Sequence, residues 1–575
     1  MMSGGEVQLR CWFRGDLLDH AALRLNVPEV SMISDIATNK KKATSTAEMI
    51  RSYASALGVA DASEKPSSDE QRKSEGKLVA LKRALERFRD DLLSSRGTKK
   101  GKEAGIIGRQ REKAWHRAAR ESLGWKEGEA EAALQVARVF SDGTPTMMSL
   151  SLVLFAQLYV PRTSASSSSS GPLEPWADVQ AANHSPPSSS TSVDAHVSAL
   201  RTRCNEDAHR LAFLKTNLQG LLELVQIGAS FSEANVSSSL SAAAVDFLGR
   251  SIFDHGESLA RASPKPLSEA MGAAFPVPCS KLAKWLRDRL TVNAKLNPQA
   301  VGAELFVSPG NYQHGTCSDS DTSMVISGAV KSTIVKFDER KKDNNPEMIE
   351  QRIVVSGCAG CFVYVLRPSR SVFIIGCSDC TIVLGPSATC VTIENCERTT
   401  IVAIGQLVRV SNCLDSIVYM HSPSRPIVSG DSRGVRFAPY NASYPGIRDH
   451  ISLTGFQSSP SDTYARPIDL NPSESEDRVL PPEKFDPIVV PALANTKETD
   501  SDAFNPFPLP AIYADALDKR GERVSAIVGE IAELDQDAQK IVHASVQAAF
   551  REWLYSSGHS RNIVELLKLS DSLCG

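Results

Sequence analysis

The stretch Val354-Val355-Ser356-Gly357-Cys358-Ala359-Gly360-Cys361-Phe362-Val363-Tyr364-Val365-Leu366 is answered by Val372-Phe373-Ile374-Ile375-Gly376-Cys377-Ser378-Asp379-Cys380-Thr381-Ile382-Val383-Leu384. The pattern recurs around Asn395-Cys396 and again around Asn412-Cys413, so the four cysteines at 358, 377, 396 and 413 are spaced 19, 19 and 17. Each unit is a short β-branched strand, a Gly or Asn corner carrying Cys, and a second short strand. Strand repeats with small-residue corners at a fixed period predict a parallel β-helix, in which equivalent residues of successive coils stack into ladders.

The same spacing admits a second reading. Cys358-x-x-Cys361, then Cys377-x-x-Cys380 after fifteen residues, matches a four-thiolate zinc site. The repeat explains it without metal. Cys396 and Cys413 occupy the same corner position with Thr399 and Ser416 in place of the second cysteine, and reduced Cys suits a buried ladder of small residues. No metal or cofactor is expected.

Before this region the period changes to helical. Leu78, Leu81, Leu85, Phe88 and Leu92 recur at three and four, on one face of a helix starting near Ser74. Met147–Val160 is a fourteen-residue apolar run, too short to span a bilayer and read as a buried helix. Ser-rich runs within 161–192 cannot repay the entropy of ordering and read as a linker. Leu211, Leu214, Leu218, Leu221 and Leu222 form the next stripe, Phe247, Ile252 and Leu259 another, and Leu282, Trp285, Leu286 and Leu290 a third. Beyond the β-helix, Leu517, Val524, Ile527, Val528, Ile531 and Leu534 form an amphipathic stripe expected to pack on the β-helix or the helical region; the alternative is a self-association seam, for which the stripe is short by coiled-coil standards.

The chain has 575 residues, with Lys+Arg 64 against Asp+Glu 67 and a formal net charge of −3. That near balance carries no overall basic signature for nucleic acid. No secretory signal is visible at the start, so the twelve cysteines are expected to be reduced thiols. The fold class is α+β multidomain: a right-handed parallel β-helix with an α-helical N-terminal region and C-terminal helices. Residues 1–130 are read as helical and partly disordered, 131–160 as a helical segment, and 161–192 as linker. The remaining divisions are 193–300 as an α-helical domain, 320–455 as the β-helix, 456–510 as an extended segment packing on it, and 511–575 as helices.

The coils, with Ser424-Arg425-Pro426-Ile427 and Val435-Arg436-Phe437-Ala438-Pro439-Tyr440 following them, resemble the C-CAP/TBCC domain family. That family includes tubulin-folding cofactor C and the retinitis pigmentosa 2 protein. Asp449-His450, Leu480-Pro481-Pro482-Glu483-Lys484-Phe485 and Phe550-Arg551-Glu552-Trp553-Leu554 narrow the resemblance to a branch linked to centrosomes and basal bodies. The resemblance implies a non-enzymatic scaffold at the microtubule-organising centre, in cytoplasm and cytoskeleton, at centrosome, spindle pole or basal body. It would position those bodies, and the Golgi in animals. Implied partners are tubulin, a small GTPase, or centrosomal and basal-body proteins. Within the matching elements, Arg425, Arg436, Phe437 and Tyr440 are the expected partner-binding residues.

Members of the family also resemble arginine-finger GTPase activators, with the finger in a Gln-Gln-Leu-Arg or Gln-Gln-Phe-Arg strand. The matching stretch is Gln406-Leu407-Val408-Arg409, with Leu407 in place of the second Gln. The resemblance thus implies an alternative, activation of tubulin or an Arf-like GTPase through Arg409, with Gln406 beside it. Strand alternation turns Val408 and Val410 inward and Arg409 outward, which predicts an exposed guanidinium. Such a group accelerates phosphoryl transfer by about 10³–10⁵ in known cases. The chain has no phosphate-cradling Gly-x-x-x-x-Gly-Lys-Ser/Thr loop, so any GTP would arrive on the partner.

Overall fold

A computed structural model describes residues 9–13, 18, 23, 25–29, 68–94, 109–141, 143–159, 191–230, 239–256, 265–291, 316–319, 323–337, 352–444, 446–456, 462–471, 477–489, 506–560 and 562–564. The expected 161–192 linker lies outside them, apart from its last two residues, as does Leu259.

Residues 1–166 and 205–293 form one compact unit. Its helices are α1 (Ser68–Ser94), α2 (Arg109–Leu123), α3 (Glu127–Val139), α4 (Met147–Ala156), α5 (Thr191–Ala229), α6 (Ala242–Ser251), α7 (Leu267–Met271) and α8 (Cys279–Arg289). The expected separation of 131–160 from 193–300 does not hold. The apolar stripes on either side of the Ser-rich segment cover each other as well as packing within their own segments, as Phe88 does on Trp115 at 5.6 Å. Phe155 meets Phe213 at 5.4 Å between ring centroids, and Lys82 pairs with Glu223. At the crossing of α4 and α5, a side chain on Gly228 would stand 2.8 Å from the Met147 carbonyl oxygen, so only glycine lets the backbones approach. Helix α4 is buried nearly all round, as its unbroken apolar run requires. Its start is capped by Thr146, whose Oγ1 accepts from the Ser149 amide at 3.1 Å.

Strand β1 (Arg10–Phe13) pairs antiparallel with β3 (Phe253–Gly256) and parallel with β5 (Leu290–Thr291), a sheet the helical periodicity did not announce. A second small pair joins β2 (Ser239–Leu240) to β4 (Val277–Pro278). The helix expected through Phe247 and Ile252 therefore stops at Ser251.

The second unit contains residues 167–204, which include the start of α5, and 294–575, and its centre is a parallel β-solenoid. Strand β6 (Thr316–Asp319) caps it antiparallel to β7 (Ser323–Ser327). Each coil then runs strand, corner, strand: β7 to β8 (Thr333–Phe337), β9 (Arg352–Ser356) to β10 (Phe362–Leu366), and β11 (Ser371–Ile375) to the start of β12 (Thr381–Glu394). The next run from the end of β12 to the start of β13 (Thr400–Ser411), from the end of β13 to β14 (Ile417–His421), and from β15 (Ile427–Ser429) to β16 (Arg436–Pro439). One stack is β7-β9-β11-β12-β13-β15, closed by β18 (Ile468–Asp469); the other is β8-β10-β12-β13-β14-β16. Strand β17 (Ala442–Ser443) pairs with β19 (Ile488–Val489), and helix α9 (Ile447–Leu453) follows β17. The interior is an aliphatic column that includes Val363, Ile382, Ile401 and Val418, all at 0 % exposure. The segments 462–471 and 477–489 pack on the solenoid: Ile468 pairs with Ile427, and the Phe437 amide donates to the Arg478 carbonyl at 2.7 Å.

Candidate functional site

The corners are the feature that repeats most strictly. Two rows of left-handed residues line them. The first is Gly328, Gly357, Gly376, Asn395, Asn412 and Gly430; the second is Lys331, Gly360, Asp379, Arg398, Asp415 and Gly434. Glycine, Asn and Asp tolerate this conformation best, which is why the corners are written in those letters. At Gly434 a side chain would also strike Asp415 Oδ1, at 2.2 Å.

Directly after these rows stand two ladders, Ala329-Cys358-Cys377-Cys396-Cys413-Ser432 and Ser332-Cys361-Cys380-Thr399-Ser416-Val435, buried except at Ser332 and aligned by the bridges that join successive corners. Their heteroatoms serve the backbone. The Cys396 amide donates to Cys413 Sγ at 3.4 Å, the Cys413 amide to Ser432 Oγ at 3.2 Å, and the Thr399 amide to Ser416 Oγ at 3.2 Å. Corner amides without a strand partner are thereby satisfied by the next coil. Sequence reasoning read these positions only as small; the alternation of Cys with Ser and Thr was the available signal that an acceptor is wanted. Among the described residues no three His, Cys, Asp or Glu side chains converge as a metal site.

The exposed charge of the solenoid gathers at this corner edge. Arg398 Nε and Nη2 donate to both carboxylate oxygens of Asp379, at 2.6 and 2.8 Å. Those hydrogen bonds hold the Asp379 carboxyl below its ordinary range. Arg433, one coil beyond Leu414 on the corner row, pairs with Asp431 at 2.8 Å.

Arg409 is not where alternation alone predicts. It is 6 % exposed. Its strand does turn Val408 and Val410 inward, but the outward row it joins, Phe373-Thr392-Arg409-Ile427-Ile468, is buried from end to end. Alternation states which side of a strand a residue takes, not whether water reaches that side. The guanidinium lies close enough to Cys390, one strand away, to favour its thiolate, but burial outweighs this and pushes that thiol up to about 11. Gln406 is half-buried on the same strand, and its carbonyl accepts from Ser422 Oγ at 3.0 Å.

The expected partner-binding set also divides. Phe437 (0 % exposed) and Tyr440 (2 %) are core side chains, a correction. Phe437 is the last inward rung of its stack, and Tyr440 meets Phe507 edge-on at 5.5 Å. Arg425 is half-buried and donates to the Arg466 carbonyl at 2.6 Å, locking the 462–471 segment down. Arg436 is half-buried on β16, beside Ile417. Neither lies on the corner edge with Arg398 and Arg433.

An aromatic cover closes the outward face of the second stack, which sequence reasoning did not locate. Tyr419 meets Phe485 at 5.7 Å, Phe485 meets Tyr513 at 5.1 Å, and His421 stacks on Phe507 at 3.6 Å. Tyr513 belongs to α10 (Ala511–Ala532), which turns into α11 (Gln536–Ser556). Only the start of the expected stripe is covered: Val524, Ile527, Val528 and Leu534 are exposed, a second correction, because α10 runs past the solenoid after Arg520. No helix among the described residues is long and apolar enough to cross a membrane.

Residues 350–468 match the family model described as Tubulin binding cofactor C. The chain is 26 % identical over 304 residues to bovine (Bos taurus) "TBCC domain-containing protein 1", covering 50 % of this chain and 52 % of that protein. It is 26 % identical over 395 residues to the mouse (Mus musculus) protein of the same name, covering 63 % and 69 %. The chain thus spans about half the length of the bovine relative it matches. Among solved structures, "Tubulin Binding Cofactor C from Leishmania major" is 21 % identical, covering 28 % of this chain and 99 % of that one, with a TM-score of 0.19.

Proposed function

We propose that this chain, which carries a tubulin binding cofactor C domain over residues 350–468, is a protein-binding scaffold of tubulin-based structures. A rigid solenoid presents one continuous edge, and here that edge carries Arg398, Arg433, Asp379 and Asp431 on stacked corners. Arginine fixed on a rigid element is a frequent interface anchor. The place of action is the microtubule-organising centre, where the scaffold holds centrosome, spindle pole or basal body in position.

The observation that carries the scaffold over an arginine-finger activator is the burial of Arg409. A finger must reach the γ-phosphate of a partner's nucleotide, whereas Arg409 is 6 % exposed inside a covered row. Two measurements separate the readings. Removing the protein from cells is expected to displace centrosomes or basal bodies, with rescue by an Arg409→Gln variant, which removes the guanidinium and keeps a polar side chain. Single-turnover GTP hydrolysis by tubulin and by Arf-like GTPases is expected to be unchanged by the wild-type chain. Acceleration by wild type and none by a folded Arg409→Gln protein would overturn the scaffold in favour of the activator. Normal positioning of these bodies without the protein would overturn the proposed place of action.

A further inference from the structure

Helices α10 and α11 form a hairpin whose two feet are fixed and whose body stands in solvent. At the first foot, Tyr513 is fully buried and its hydroxyl donates to the Leu480 carbonyl at 2.7 Å. Arg520 pairs with Asp486 at 2.8 Å. At the second foot, Asn562 Nδ2 donates to the Tyr364 hydroxyl at 3.1 Å, and the His559 ring lies 5.0 Å from Phe362. Between the feet no residue of α11 is buried, and every residue from 521 to 530 is exposed. The polar contacts between the two helices are those of Gln539 Nε2 with the Ala532 and Leu534 carbonyls at the turn, 3.1 and 3.0 Å.

The exposed surface is apolar and patterned. On α10, Val524, Ile527 and Val528 continue the stripe begun by Tyr513 and Leu517; on α11, Ile541, Val546, Phe550 and Trp553 recur at helical spacing. These side chains are 49 to 67 % exposed. Seven large apolar side chains exposed on one helix pair are the kind of surface that marks an interaction site. A helix with nothing buried has little of the tertiary packing that normally holds a helix of this length in water.

The flanking charges name the occupant. Lys519 and Arg523 precede Ile527, and Glu530 and Glu533 follow it. At 3.6 residues per turn all four fall on the same flank of α10. In an antiparallel pair of identical helices the same flanks face each other. A two-fold axis beside Ile527 therefore sets Lys519 and Arg523 of one copy against Glu533 and Glu530 of the other, so the surface is complementary to itself. The hairpin lacks the Lys- and Arg-rich polar face that draws amphipathic helices to anionic lipid.

We propose that the chain is a two-fold dimer in which α10 and α11 pack antiparallel against the same hairpin of a second copy. The test uses the full chain in sedimentation velocity from micromolar to tens of micromolar. Wild type is expected to sediment as a dimer, and Ile527→Glu as a monomer that keeps the solenoid's cooperative unfolding and loses at most the helix signal of the hairpin. The double variants Lys519→Glu with Arg523→Glu, and Glu530→Lys with Glu533→Lys, are each expected to weaken the dimer by about tenfold or more. Mixing the two is expected to restore a dimer containing one of each. A wild-type monomer at the highest concentration overturns the proposal, whether or not the chain then co-floats with anionic vesicles or binds a foreign helix. Charge variants that dimerise as tightly as wild type overturn the antiparallel arrangement.

Discussion

Arg398 and Asp379 occupy the same corner position on successive coils, both in the left-handed region, and are joined by two hydrogen bonds of 2.6 and 2.8 Å. The pair links an unfavourable backbone conformation in a long side chain to a favourable contact between coils. A left-handed non-glycine residue costs about 1–3 kcal/mol, and an exposed ion pair offsets at most about 1 kcal/mol of that.

Arg398→Ala is therefore expected to destabilise the solenoid, by about 0.5–1 kcal/mol, because it keeps the strained backbone and loses the pair. Arg398→Gly, which relieves the strain while losing the same pair, is expected to be less harmful than Ala. Because the Asp379 carboxyl is depressed by Arg398, the contribution of the pair is present above the ordinary carboxylate pKa, near 3.9. It is lost as pH falls through the lower folded value. Urea titrations of both variants at neutral pH and in acid check the order and the sign; a penalty for Ala that grows in acid would refute the ion-pair account.

The corner ladders set a rule for substitution. Cys380 and Thr399 are neighbouring rungs, and Ser416 follows. Cys380→Ser places on one rung the hydroxyl that Ser416 already supplies on another, so a loss below about 1.5 kcal/mol is expected. Cys396→Leu overpacks a rung with no free volume and is expected to cost at least 1–3 kcal/mol. The seven thiols from Cys358 to Cys413 are buried, and none is expected to react with iodoacetamide in the folded chain, as mass spectrometry of labelled peptides reads directly. Labelling of any of them under native conditions would mean that the corners open.

Arg409 tests burial against chemistry. A guanidinium 6 % exposed and removed by Arg409→Ala leaves a cavity in a packed outward row, and about 2–4 kcal/mol of destabilisation is expected. The finger alternative expects the opposite pattern, an unchanged unfolding midpoint with altered GTPase activation. Chemical denaturation beside the hydrolysis assay distinguishes the two.

Tyr513 couples the hairpin to the solenoid. Tyr513→Phe removes one buried hydrogen bond and is expected to cost about 1 kcal/mol. Tyr513→Ala empties the aromatic cover against Phe485 and Tyr464 and is expected to cost about 3–5 kcal/mol. Limited proteolysis is expected to cut Tyr513→Ala near residue 510 well before wild type. Equal cleavage of both proteins would show that the first foot does not hold the hairpin.

Much of the architecture was legible in the chain because its causes are local. The corner letters Gly357, Gly376, Asn395 and Asn412 report a left-handed backbone at each position, and the recurrence of Cys near a 19-residue period reports stacking. The stripes at Leu81, Leu85 and Phe88 and at Leu218, Leu221 and Leu222 report helix faces that must be covered. What remained hidden depends on which distant segment arrives. Nothing near Leu78 shows that its cover is Gly220. Nothing near Arg409 shows that its side of the strand is dry, and nothing in the heptad-like run after Leu517 shows that the solenoid ends before Val524. Period and residue type determine how the backbone turns and which side of an element each residue takes. Whether that side meets water, another coil or a second molecule is decided by tertiary packing, since burial depends on contacts between residues far apart along the chain.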